Sequence, residues 1–205
     1  MADQLVSLIA SPVPRLKHER HPLLSAADYI GLIAKCQQIE RRVFPKSEAM
    51  SLSEEVRKPN QYLFVVMLPD RLDSGRPLVL VSYGVLALNK VDCIARITKV
   101  CTDPLHRGLG AGEHLVRSML TALGSSVATL DSAQHLASSR RLVSLCTAGC
   151  LRTNIRDILL HVDVQRETAV RLYTRCGFNV KAAIPNYYAE GRDALLMSAN
   201  IAIIT

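Results

Sequence analysis

The stretch HRGLGAG, residues 106–112, places glycine at 108, 110 and 112, and an amphipathic run follows at once. In LGAGEHLVRSMLTAL, residues 109–123, Leu109, Leu115, Val116, Met119, Leu120 and Leu123 mark one helical face. A glycine cluster opening a helix leaves free N–H groups and the positive end of the helix dipole without covering side chains, which is how a backbone holds a phosphate. The plain alternative is a flexible loop ahead of an ordinary helix.

The chain has 205 residues, 49% of them hydrophobic, enough for one well-packed domain and too apolar for a disordered chain. A formal charge of +7 favours acidic partners such as nucleic acid, a membrane surface or a phosphorylated cofactor. Three Phe, six Tyr and no Trp leave little for stacking bases, so no specific nucleic-acid binding is expected. Cys36, Cys93, Cys101, Cys146, Cys150 and Cys176 sit mostly in apolar runs without zinc spacing, which reads as buried free thiols and no metal. No run approaches the ~20 apolar residues of a membrane span. The first 22 residues lack the pattern of a secretory signal. A cytoplasmic protein is expected, with a nuclear location or an organellar transit peptide left open.

Prolines 12, 14 and 22 make residues 1–22 a loose arm ahead of a domain spanning 23–205. Residues 25–44 carry Ile30, Ile33, Ala34, Cys36, Ile39, Val43 and Phe44 at mostly helical spacing, with Ser25 as cap and Pro45 as stop. A short helix is expected at 51–58, capped by Ser51 or Ser53. Strands are expected at 62–68, 78–88 and 93–101, the last with Ile94, Arg96, Thr98 and Val100 on one face. Residues 124–156 show no clear periodicity and read as an insertion, with 132–148 open to a helix and basic residues over 140–156 open to an auxiliary protein partner. A strand at 157–164, a helix at 165–178 ended by Gly177, and two strands around the turn PNYYAEGR complete the chain. This order predicts an α/β (α+β) domain with helices flanking a mixed, mostly antiparallel sheet.

Three phosphate loops compete for the glycines. A Walker loop fails because Glu113 and His114 follow Gly112. A dinucleotide fingerprint needs Gly or Ala at 113 and a strand directly before the loop, although Asp131 follows at a workable distance. The third pattern is Arg-x-x-Gly-x-Gly: Arg107, Gly110 and Gly112. With KVCTDPLH before it and a helix after it, this resembles the acetyl-CoA loop of the GNAT acetyltransferase superfamily. A second block, LLHVDVQRETAVRLYTRCGFNV, resembles that superfamily's second cofactor-binding strand and helix, ending in Tyr173, Gly177 and Phe178. The segments FPKS (44–47) and NYY (186–188) resemble acceptor-side elements of the NatE-type and RimI-like protein N-terminal acetyltransferases. The resemblance covers roughly residues 25–200.

It implies acetyl-CoA as cofactor, held by Val100, Cys101, Thr102, Arg107, Gly108, Leu109, Gly110, Ala111, Gly112, Glu113, Arg166, Ala169 and Tyr173, with no metal. It implies His161 as base and Tyr173 as acid, and an acceptor site drawing on Phe44, Pro45, Glu48, Arg96, Tyr187 and Tyr188. Direct attack needs a neutral amine and a protonated leaving thiol, and an α-amine (pKa about 7.7–8.0) loses its proton more cheaply than a lysine (about 10.4). The implied acceptor is a protein N-terminus, with a lysine or a small amine such as an arylalkylamine or polyamine as alternatives; Glu48 and Glu190 would hold the latter's charge. A nucleotide-binding scaffold is the reading without catalysis. The chain departs from the NatE type at three places: Arg96 replaces a tyrosine, Arg166 an asparagine and Glu48 an aromatic residue. A cation at position 96 repels or acidifies an amine, or binds an acidic acceptor.

Overall fold

Alternating and continuous apolar runs dictate a sheet that helices must cover on both faces. The computed structural model describes residues 26–68, 79–124, 143–146 and 154–201. Helix α1 spans Ala26–Val43 and α2 spans Leu52–Glu55; strands β1 (Gln61–Leu68), β2 (Val79–Asn89) and β3 (Ile94–Thr102) form an antiparallel meander. A 3₁₀ turn at Pro104–His106 and the glycine loop lead into α3 (Ala111–Leu123). Then come β4 (Val143–Cys146), β5 (Asp157–Asp163), α4 (Glu167–Arg175), β6 (Asn179–Ala189) and β7 (Arg192–Asn200). The seven strands lie in the order β4-β1-β2-β3-β5-β7-β6, and only β3 and β5 run parallel.

The sheet divides two apolar clusters. Tyr62, Phe64, Ala95, Ile97, Ile158 and Leu160 meet Leu115, Met119 and Tyr173 of α3 and α4 on one face. Leu63, Val65, Tyr83, Val85 and Cys101 meet Leu32, Cys36 and Ile39 of α1 and Leu52 of α2 on the other. Strand β1 is thus covered on both sides, as its unbroken apolar run requires.

Close packing of α3 depends on two glycines. A Cβ on Gly84 of β2 would lie 2.5 Å from Met119 Cε and 2.7 Å from the Lys99 carbonyl oxygen. A Cβ on Gly112 would lie 2.9 Å from Leu172 Cδ1 and 3.3 Å from Thr102 Oγ1.

Several expectations change. Ile30 is 66% exposed and Ala34 is exposed, whereas Glu40 is fully buried on α1. Glu40 is satisfied there: it accepts from the Tyr83 hydroxyl and the Met50 amide (2.8 Å) and pairs with Lys99 Nζ at 3.0 Å. Ser51 precedes α2 but makes no cap bond; the Gln37 side chain accepts from the Leu52 amide instead (3.0 Å). The face expected for β3 breaks at Thr98, because Leu86 pairs with Ile97 while Val85 pairs with Lys99. Thr98 is the extra residue of a β-bulge, and its hydroxyl donates to the Val85 carbonyl at 3.2 Å. Arg96 therefore shares its face with Lys99 and Cys101, and Val100 joins Ala95 and Ile97. The helix reading of 132–148 fails at 143–146, which pair antiparallel with β1 at the sheet edge. The rest of that segment, the arm 1–22 and the Ser25 cap lie outside the described residues. The expected turn at 185–192 is a bulge within β6 followed by a tight turn.

Substituting Gly84→Ala should destabilise the fold by about 1–3 kcal/mol, because the added methyl meets fixed backbone and not only a movable side chain. Urea unfolding would register this as a lower midpoint with an unchanged slope.

Candidate active site

The parallel ladder between β3 and β5 pairs Ile94–Ile97 with Asp157–Leu160 and stops there, although both strands continue. The bulge at Thr98 turns β3 away just beyond the last pair. The strand ends carrying Val100, Cys101 and Thr102 on one side and His161 and Asp163 on the other therefore part. The glycine loop lies directly after the parted end of β3. Asp103, 5% exposed, anchors its start: one oxygen accepts from the Leu105 amide (3.1 Å) and the other from Arg42 of α1 (3.2 Å). Gly108 and Gly110 have φ of +75° and +76°, and a Cβ on either would meet nothing within 4 Å. The loop thus combines left-handed backbone with open space at the start of α3, whose first amides lack intrahelical partners. Gly112 differs: it is buried, and the approach of Leu172 and Thr102 accounts for it.

On the α1 side of the split, Arg96 Nη1 donates to His161 Nδ1 at 3.3 Å. A guanidinium only donates, so Nδ1 must be the unprotonated nitrogen and the ring proton sits on Nε2. Partial burial and the Arg96 charge hold the His161 pKa below the usual imidazole value. Tyr187, 48% exposed, stacks on this ring with centroids 4.5 Å apart and 10° between planes, and Tyr188 meets Tyr187 edge-on at 4.9 Å. These tyrosines reach the site because β6 carries residues 185–188 opposite Asp193 alone. Asn186 shapes that bulge at φ +54°: its amide donates to Asp193 (2.8 Å) and its side chain accepts from the Gly191 amide (2.7 Å).

A chain of charges closes the site below the tyrosines. Glu48, after α1, accepts from Arg166 Nη2 (2.9 Å) and Arg192 Nη1 (2.7 Å). Arg192 also donates to Asp163 from Nε at 3.1 Å and stands over the Tyr188 ring at 5.4 Å. Burial alone would raise the Asp163 pKa, but Arg192 and the Gln165 amide hold it below its usual value. Phe44 lies between Lys99 Nζ (3.7 Å from the ring centre) and the Arg166 guanidinium (4.9 Å). Lys99 also donates to the Glu48 carbonyl at 3.0 Å. Segment 44–50 is thereby tied to β3, α4 and β7 at once.

The structure groups Phe44, Glu48, Arg96, His161, Tyr187 and Tyr188 as the sequence suggested. Pro45 is exposed beside them. Arg166, expected near the cofactor, joins this cluster through Glu48 and Phe44. The Glu113 side chain binds Arg117 (2.9 Å) and Arg175 (3.3 Å), a clamp between α3 and α4. Ala111 is buried at the start of α3, Leu109 and Ala169 are half-buried, and Arg107 is exposed in the loop. Tyr173 is buried against the Phe178 ring at 5.8 Å, and burial, with Tyr188 adding to it, raises its pKa. Lys99, Asp163 and Arg192 were not anticipated. Asp163 was within reach of sequence reasoning, because in a strand it shares a face with His161 two residues earlier. No group of side chains suited to a metal is present among the described residues, and no described helix is long and apolar enough to cross a membrane.

No family model matches the chain. A protein of Sulfurisphaera tokodaii named N-alpha-acetyltransferase is 31% identical over 75 residues, 36% of this chain and 45% of that relative's length. The ribosomal-protein-S18-alanine N-acetyltransferase of Escherichia coli superposes with a TM-score of 0.54 at 17% identity, over 87% of this chain and 90% of its own. The fold is that of the GNAT acetyltransferases. The NatC complex bound to Gag peptide and CoA gives 0.53 at 17% identity, over 82% of this chain and 89% of that one. A spermidine N-acetyltransferase chimera of Vibrio cholerae and human sequences gives 0.56 at 19% identity, over 85% and 92%. Proteins named for peptide-type and polyamine acceptors thus share this GNAT architecture, so the fold by itself names no acceptor.

Titration by NMR should place the His161 pKa below the ordinary imidazole value. Arg96→Gln removes the neighbouring cation, so that pKa should rise. An unchanged value would mean that burial alone sets it.

Proposed function

We propose that the protein is an acetyl-CoA-dependent N-acetyltransferase acting on the α-amine of protein or peptide N-termini. The parted strands β3 and β5 carry this reading, with a glycine loop at one side and the His161–Tyr187 stack at the other. Open space over Gly108 and Gly110 fits a pyrophosphate laid on the backbone of residues 107–111, with the free edge of β3 at Val100–Thr102 beside it. Bound there, coenzyme A would supply an acetyl group activated as a thioester.

The chain's own residues would manage two protons. His161 is neutral, and Nδ1 holds its one available lone pair, so it takes the amine proton at Nδ1 once Arg96 is drawn aside. Tyr173, kept protonated by burial, is the donor for the departing thiolate. Tyr187 and Tyr188 form an aromatic wall for the residue bearing the amine. A polycationic acceptor finds less support: of the two carboxylates expected to hold its charge, Glu48 is already taken by Arg166 and Arg192, and Glu190 is exposed in the turn after β6. The match to a relative named N-alpha-acetyltransferase agrees with this choice.

Acetyl-CoA at 100 times its Kd should stabilise the fold by about 2.7 kcal/mol in thermal unfolding. Gly110→Asp should abolish that shift while the unliganded protein stays folded, because the carboxylate fills and repels the phosphate position. A retained shift would place the phosphates elsewhere.

With peptide acceptors, His161→Ala should lower kcat about 10²–10⁴-fold with acetyl-CoA affinity preserved. The loss should shrink as the pH passes the amine's own pKa. Tyr173→Phe should hurt least with donors whose thiol has a low pKa. Turnover confined to free small amines would overturn the N-terminal reading.

A further inference from the structure

Four cations gather on the α1 side of the split: Arg96, Lys99, Arg166 and Arg192. Three of them are compensated. Lys99 holds Glu40, Arg166 holds Glu48, and Arg192 holds Glu48 and Asp163. Arg96 differs. It is exposed, and its one hydrogen bond among the described residues goes to a neutral imidazole. An uncompensated guanidinium beside the group expected to take the amine proton is a poor neighbour for a cationic acceptor. It is a ready-made partner for an anion, since its planar fork matches a carboxylate. The same ring that Arg96 bonds carries Tyr187 on its face, so cation and aromatic wall border one opening.

We propose that Arg96 reads a carboxylate on the acceptor, so that the preferred substrates are polypeptide N-termini whose first residue is Asp or Glu. This deepens the acetyltransferase reading above and rests on it. The bond to His161 gives the contact a second consequence. While Arg96 donates to Nδ1, the only lone pair of the neutral ring is occupied. A carboxylate that draws the guanidinium toward itself releases that lone pair, and the amine proton can pass to Nδ1. Acceptor charge would then raise kcat as well as lower KM. A neutral N-terminus would have to break the Arg96–His161 bond without compensation.

The experiment uses the full chain, acetyl-CoA and three peptides identical except for a first residue of Glu, Gln or Lys. Acetyl-CoA binding by calorimetry and thermal unfolding are measured on every variant. The unmodified protein should prefer Glu over Gln by about tenfold or more in kcat/KM, the worth of one charge-assisted hydrogen bond, and Lys should be poorest. In Arg96→Gln the Glu-to-Gln ratio should collapse toward one. In Arg96→Glu the order should invert, with Lys best and acetyl-CoA affinity retained. An unchanged ranking in both variants would overturn the proposal, as would an equal loss on all three peptides. A wild-type protein that binds no acetyl-CoA and acetylates no peptide would instead sink the reading beneath it. Free glutamate turned over as well as the Glu peptide would keep Arg96 as a carboxylate reader and remove the polypeptide.

Discussion

The parting of β3 from β5 is the constraint on which the rest of the site depends. Parallel strands hold together only while their ladder continues, and here it lapses after Ile97 and Leu160. One extra residue, Thr98, is enough to do this, because a bulge both bends a strand and reverses which face its side chains occupy. Without that reversal, Val100 would face α1 and Lys99 would face the opposite core. The bulge therefore opens the sheet and also delivers Lys99 to Glu40 and Phe44, where it anchors the segment after α1.

That segment is held by charge more than by apolar contact. Of residues 44–50 only Phe44 and Met50 pack against the α1-side cluster, and Lys99 of β3, Arg166 at the start of α4 and Arg192 of β7 all reach Glu48. Each ion pair alone is worth little at a partly exposed site, but a shared carboxylate fixes several elements together. Within this cluster Arg166 and Arg192 each have a negative partner among the described residues, and Arg96 does not.

Much of the fold was legible because its signals are local. The period of α3 and α4, the continuous run of β1 and the glycines before α3 each predict their own segment. The contact between His161 and Tyr187 joins two stretches that the resemblance had singled out separately. What escaped depends on distance along the chain or on a change in register. Glu48 meets Arg166 across 118 residues and Arg192 across 144, and no window of sequence contains either pair. Alternation over 94–100 looks regular, so the single-residue slip at Thr98 leaves no local mark. Gly112 was legible as a constraint, and the structure adds a packing reason for it, since Leu172 and Thr102 crowd the position. The strand at 143–146 takes its state from pairing with β1, and its own sequence gives no periodic signal.

Cys101 stands at the parted end of β3, where a nucleophile could in principle intercept the acyl group. Burial, helped by Glu40, pushes its thiol up to about 12, so it offers almost no thiolate near neutral pH. A two-stage transfer through an acyl-cysteine has little footing there. The proposed transfer must then bring both reactants together in one ternary complex before any bond changes. Its initial-rate plots would be intersecting lines, where a ping-pong enzyme gives parallel ones.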